Sequence, residues 1–198
     1  MALNSNAVLK VGTGAFYTAP VGTEKPTRDQ LLTPGEDWEH MGHTSLDDIL
    51  SSSSEGGERN VLPSLQAPTG VRTTVSARTD TFTINLLQFD EKSLKLYYGS
   101  NAVIETDGSV QIPETPIPTE AAWLFVFRDG DRVGALYASR TNIIRADDFA
   151  ISDTESLSRL ALSVTPMVED GSDASSALSF TPPFNVKDDG EEGEAGNY

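Results

Sequence analysis

The sequence predicts a mainly β protein, a β-sandwich or partly open barrel with one short helix packed on it and long extended loops. Three observations carry that expectation. The segment "TFTINL" alternates with a period of two, placing Phe82, Ile84 and Leu86 on one side and Thr81, Thr83 and Asn85 on the other. "AAWLFVFRDGDRVGALYA" reads as two apolar strands, Ala122–Phe127 and Val133–Ala138, joined at Asp129-Gly130, a dipeptide that suits a tight hairpin. Only "DEKSLKLYYG" has helical character. Asp90 suits the N-cap, Glu91 the first turn, Leu94, Tyr97 and Tyr98 a stripe, and Gly99 the stop.

The remaining elements follow in chain order. "VLKVGTGAFYTA" suits a short strand from Val8, with the Gly12–Gly14 "GTG" marking a bulge or turn before Phe16 and Tyr17. Prolines 20, 26 and 34 make the next stretch loop, leading to a short strand around Trp38 to Thr44. From Ser45 to Gly70 the chain reads as irregular, because Pro63, Pro68 and Gly70 follow a serine run and a glycine pair. So long a loop inside a compact domain implies a function or disorder. Pro113, Pro116 and Pro118 make another loop, and further strands are expected at Asn142–Arg145 and Leu157–Val168. The domain expectation is a single β domain over 1–186 with an extended loop at about 45–70, followed by an acidic C-terminal tail over 187–198.

Composition narrows the function classes. The 198 residues carry a formal charge of −16, with 37% hydrophobic residues and no cysteine. Disulfides and cysteine-ligated metals are therefore impossible. Residues 141–198 hold twelve acids against three bases, and no basic patch occurs that would grip nucleic acid or an anionic membrane. The N-terminus has neither the basic region nor the apolar run of a signal peptide, so synthesis in the cytoplasm without membrane insertion is expected. The modest apolar fraction implies that part of the chain is loop or waits for a partner.

No motif supports catalysis. His40 and His43 form H-x-x-H, but no third ligand recurs nearby, and two ordinary polar residues beside Trp38 account for them. Asp147, Asp148, Asp153 and Glu155 miss the alternation and the central glycine of a calcium loop, and read as solvated turn acids near Arg145 and Arg159. "SEGGERN" lacks the Gly-Lys-Ser/Thr ending of a phosphate loop. The residues thus imply no enzyme, no cofactor and no metal site. For the serine-glycine stretch they leave three possibilities: a slack linker, a phosphate cradle, or an arm that orders against another subunit.

Four stretches resemble one family. "ALNSNAVLKVGTGAFYTAPVGT", "WEHMGHTSLDDILSSSSEGGE", "QFDEKSLKLYYGSNA" and "IIRADDFAISDTESL" cover most of residues 2–160. In that order they are similar to the major tail proteins, or tail tube proteins, of long-tailed non-contractile bacteriophages of the siphophage type. The resemblance implies a phage tail tube fold and a structural virion protein. Copies of it form hexameric rings that stack into a tube through which double-stranded DNA passes into the host. It implies further partners in the tape-measure protein, the tail terminator and the tail-tip proteins. A barrel of roughly 24 strands, about 4.8 Å apart and tilted about 40°, has a backbone diameter near 50 Å, wide enough for duplex DNA after inward side chains are allowed for.

The resemblance also points to a subunit-interface arm at Ser51, Ser52, Ser53, Ser54, Glu55, Gly56, Gly57, Glu58, Arg59, Asn60, Val61, Leu62 and Pro63. A conduit must not hold what it conducts, so acids are expected to outnumber bases on the lumen side. The alternatives are a related virion ring protein (tail terminator, tail-tip or head-tail connector subunit) and a carbohydrate-binding β-sandwich. The latter would need an exposed cluster drawn from Trp38, Trp123, Tyr97 and Tyr98.

Overall fold

The computed structural model describes residues 8–63, 65–66, 69, 71–149, 151, 155–168 and 177–185. The chain begins with β1 (Thr13–Ala19), a single 3-10 turn (Arg28–Gln30), β2 (Glu39–His40), β3 (Ser51–Gly56) and β4 (Arg59–Leu62). It continues through β5 (Arg72–Val75), β6 (Arg78–Leu86), helix α1 (Glu91–Tyr98), β7 (Val103–Ile104) and β8 (Val110–Gln111). It ends with β9 (Thr119–Asp129), β10 (Arg132–Arg145), β11 (Leu160–Pro166) and β12 (Ser179–Asn185). The main sheet follows the path β2-β1-β9-β10-β11-β6-β3, with β12 also on β10; β4-β5 and β7-β8 are separate pairs. The path is open, and among the described residues β2 and β3 at its ends pair on one side only. No helix among those residues is long and apolar enough to cross a membrane.

Two compact units emerge, the first comprising Met1–Met41, Ala121–Arg140 and Met167–Tyr198. Its centre is β9, where every residue from Ala121 to Phe127 is buried, so the strand is covered on both faces. Ala122, Leu124 and Val126 join Val133, Ala135, Ala19, Leu31 and Trp38 in one cluster. On the alternate positions Phe16 stacks on Phe125 at 4.3 Å and lies 6.0 Å from Trp123. Burying each such side chain contributes about 1.5–3 kcal/mol. The register Phe16↔Phe125 runs through Gly14↔Phe127. A Cβ on Gly14 would sit 2.8 Å from the Phe125 ring, so the "GTG" glycine is a close-packing position within β1. The expected turn there does not exist, and the strand starts at Thr13 rather than Val8.

The second unit comprises Gly42–Glu120 and Thr141–Pro166. Antiparallel β6 and β11 face Leu160, Leu162 and Val164 against Leu86, Ile84 and Phe82, all buried, which matches the alternation in the sequence. Helix α1 starts as expected: the Asp90 carboxylate accepts from the Ser93 backbone N–H at 2.8 Å, and Gly99 closes the C-terminus. Tyr97 is buried and its hydroxyl donates to the Asp147 carbonyl at 2.5 Å, while Leu94 and Tyr98 are half-buried. The loop from Glu105 to Pro118 holds one short strand, β8, which pairs with β7.

Strand β10 serves both units. Arg132–Tyr137 pairs with β12 in the first, and Thr141–Arg145 pairs with β11 in the second. The sequence suggests two strands here, but β10 is one of 14 residues. Strand β12 is unexpected because it contains Pro182 and Pro183. The prolines lie where the register slips between Val133 and Ala135, so neither is asked for a ladder hydrogen bond.

A two-stranded arm as candidate assembly interface

The largest departure from the expected fold lies at Ser45 to Gly70. Residues read as irregular chain form β3 and β4, and these pair with β6 and β5. Serine and glycine have little strand preference of their own. The partner supplies it, since "RTDTFT" in β6 aligns Ser51↔Thr83 through Gly56↔Arg78. Beyond Gly56 the pairing resumes as Arg59↔Val75 through Leu62↔Arg72.

The two ladders are joined by bonds that keep the ribbon continuous. Gly57 N–H donates to the Ala77 carbonyl at 3.2 Å, Ser76 N–H to the Glu58 carbonyl at 3.0 Å, and Glu58 N–H to the Ser76 hydroxyl at 2.9 Å. At its far end Val71 N–H donates to the Leu62 carbonyl at 2.8 Å. The glycine pair makes the bulge: Gly56 has φ +82°, and a Cβ there would lie 2.2 Å from the Ala77 carbonyl oxygen. At the base, the Ser54 hydroxyl donates to Asp80, and Arg78 pairs with the same carboxylate at 2.8 Å. The Ser54 hydroxyl first, and then the Arg78 guanidinium, hold the Asp80 carboxyl below its ordinary range.

All thirteen candidate residues from Ser51 to Pro63 therefore lie along one rail of a single arm. At about 3.3 Å per residue, β3 and β4 together extend roughly 40 Å. The second rail, Val71 to Asp80, is equally part of the arm, and nothing in "SSSSEGG" marks its partner. Every residue of β3, β4 and β5 is exposed. The far end also exposes apolar side chains: Val61 and Leu62, Leu65 at 93%, and Val71 and Val75 at 66% each. A two-stranded ribbon without a covered face is marginal in water by itself.

The other candidate groups assemble into nothing comparable. The His40 ring meets Tyr17 edge-on at 5.1 Å, and the His43 backbone N–H donates to Gln88. Among the described residues no three His, Asp or Glu side chains are placed to hold a metal ion. Asp153 and the acidic tail from 187 lie outside the described residues. The aromatics that a sugar platform would need are not on the surface: Trp38, Trp123 and Tyr97 are buried and Tyr98 is half-buried.

Comparison with known proteins agrees with a structural role. The family described as phage tail tube protein matches residues 1–182. The chain is similar to major tail protein Gp23 of Mycobacterium phage L5, with 35% identity over 157 residues, 74% of this chain and 78% of that protein. It is similarly related to Gp23 of Mycobacterium phage D29, with 34% identity over the same shares. A solved structure titled as the tail of an empty GTA particle, refined with C6 symmetry, aligns over 91% of this chain and 99% of its own at 15% identity. Its TM-score is 0.34, too low to establish a common fold. From the family match and the two relatives, the chain belongs to the phage tail tube protein family, as a structural component of the virion and not an enzyme.

Proposed function

We propose that copies of this chain join into hexameric rings, that the rings stack into the tail tube, and that the arm from Ser51 to Pro63 is a principal contact between copies. Double-stranded DNA passes through the finished tube without specific binding. The tape-measure, terminator and tip proteins are its further partners. The observation that carries the reading is the arm: a ribbon exposed on both faces, ending in five exposed apolar residues. Such surface is costly to leave in water and marks an interaction site. The outer edge of β3, unpaired among the described residues, supports the same reading, because strand edges are completed most simply by another chain.

Trimming the arm tests this. Residues 57–77 are replaced by Asn-Gly, which leaves Gly56 paired with Arg78 and joins β3 to β6 by a two-residue turn. The trimmed chain is expected to keep the parent's circular dichroism and to remain unassembled in negative-stain images at concentrations where the parent forms tubes. Tubes of parental yield would defeat the proposal.

A further inference from the structure

The second unit contains an open groove of about 1460 Å³. Strands β6 and β11 contribute Thr83, Asn85 and Ala161 to its lining. One side is the segment before β3, which carries Asp47 and Asp48; the other carries Asp147, Asp148 and Glu155. Among the described lining residues Arg159 is the one lysine or arginine against these five acids, of which Asp148 pairs with Arg145 at 3.3 Å. Each side also presents a leucine to solvent, Leu46 at 85% exposure and Leu157 at 77%.

The far end of the arm has the opposite character. From residue 59 to residue 75 the only charged side chains are Arg59 and Arg72, in a chain whose net charge is −16. The register puts Arg59 and Val75 on one face with Val61 and Thr73, and Arg72 on the other with Leu62, Thr74 and Asn60. Each face thus holds one arginine and at least one aliphatic side chain. A ribbon entering the groove edge first would present one arginine and its aliphatic neighbour to each acid-and-leucine side.

We infer that the arm end of one copy seats in the acidic groove of a second copy, Arg59 and Arg72 facing its two carboxylate-bearing sides and Val61 and Leu62 covering Leu46 and Leu157. This rests on the assembly reading above and names the receiving site. The occupant is a second copy because the arm cannot fill its own groove. Ser51, at the base of the ribbon, lines that groove, and Arg59 lies about 26 Å further along extended chain. Folding back would break the β3–β6 ladder that holds the arm out. Opposed charge fixes register and partner choice, and the leucine and valine surface removed from water contributes the affinity.

The experiment uses charge reversal on the full chain. Arg59→Glu with Arg72→Glu, and separately Asp47→Lys with Glu155→Lys, are each expected to raise the concentration needed for tube formation at least about tenfold. Combining all four substitutions in one chain is expected to bring it back to within about threefold of the parent, because every arm then meets a matching groove. Circular dichroism melts check that each variant is folded, and Asp47→Asn with Glu155→Gln replaces the lysine pair if that pair is not. The groove assignment is overturned if groove variants assemble like the parent, if the arm reversal has no effect, or if the four-fold variant stays blocked. None of those results restores tubes to the arm-trimmed chain, so failure of the seat is distinguishable from failure of the arm.

Discussion

Strands β9 and β3 are opposite extremes of one chain. From Ala121 to Phe127 every residue of β9 is buried, and its neighbours on both faces are aromatic or aliphatic. From Ser51 to Gly56 every residue of β3 is exposed, and its side chains are hydroxyls, a carboxylate and a hydrogen. Both are regular strands with intact ladders. Regular structure therefore says little about where stability comes from. In β9 it comes from side chains packed within the same chain; in the arm the described residues show backbone bonds and a few polar contacts, and on the proposed assembly the packing comes from another copy.

The sharpest way to break this comparison is to substitute in the core. Trp123→Ala removes the largest fully buried side chain and is expected to cost about 3–5 kcal/mol in urea denaturation, enough to unfold much of the population at ambient temperature. A cost below that of a surface change would mean that β9 is not the centre of its unit.

An intermediate effect is expected at the helix start. Asp90→Ala deletes the cap on Ser93 and should cost about 1 kcal/mol. Burial by itself would raise the Asp90 carboxyl, but the Ser93 backbone N–H and hydroxyl and the Gln88 amide outweigh it, and the group titrates below its ordinary range. A depressed carboxyl stabilises the fold above its unfolded value and loses that contribution as pH falls through the folded one. The parent should therefore lose stability on acidification more steeply than the Asp90→Ala chain. Parallel acid limbs in the two denaturation series would show that the cap is not formed.

The smallest effect on folding is expected in the arm. Val61→Ser with Val75→Ser should change unfolding free energy by no more than about 0.5 kcal/mol, since both side chains are exposed in the single chain. The same pair should reduce tube yield severely. If it destabilised the isolated chain as strongly as the tryptophan substitution, the distinction between a self-packed strand and a partner-packed one would be lost.

These two regions also differ in how readable they are. Strand β6, the β9–β10 hairpin and α1 carry their own instructions: period-two apolar residues, a Asp-Gly turn, an aspartate cap and a glycine stop. Strand β3 carries none, because four serines are specified as a strand only by the Asp80–Thr83 segment they pair with, 26 to 32 positions later. The resemblance points to the serine run as an interface arm, but its strand geometry is not readable from the residues. Strand β12 was hidden by two prolines whose missing N–H groups matter only in a regular ladder, and the register slip opposite Gly134 removes that requirement. The groove was equally hidden: its acids are 100 positions apart in sequence, and only the pairing of β6 with β11 brings their segments into one unit.

On the proposed assembly, an arm at Ser51–Gly56 that reaches onward to a different surface of the next copy makes that contact head-to-tail instead of two-fold symmetric. Growth built on such contacts is polar, with unlike surfaces at the two ends. A truncated copy that receives but cannot reach onward would terminate a growing end, so a minority of such chains would poison elongation out of proportion to their number.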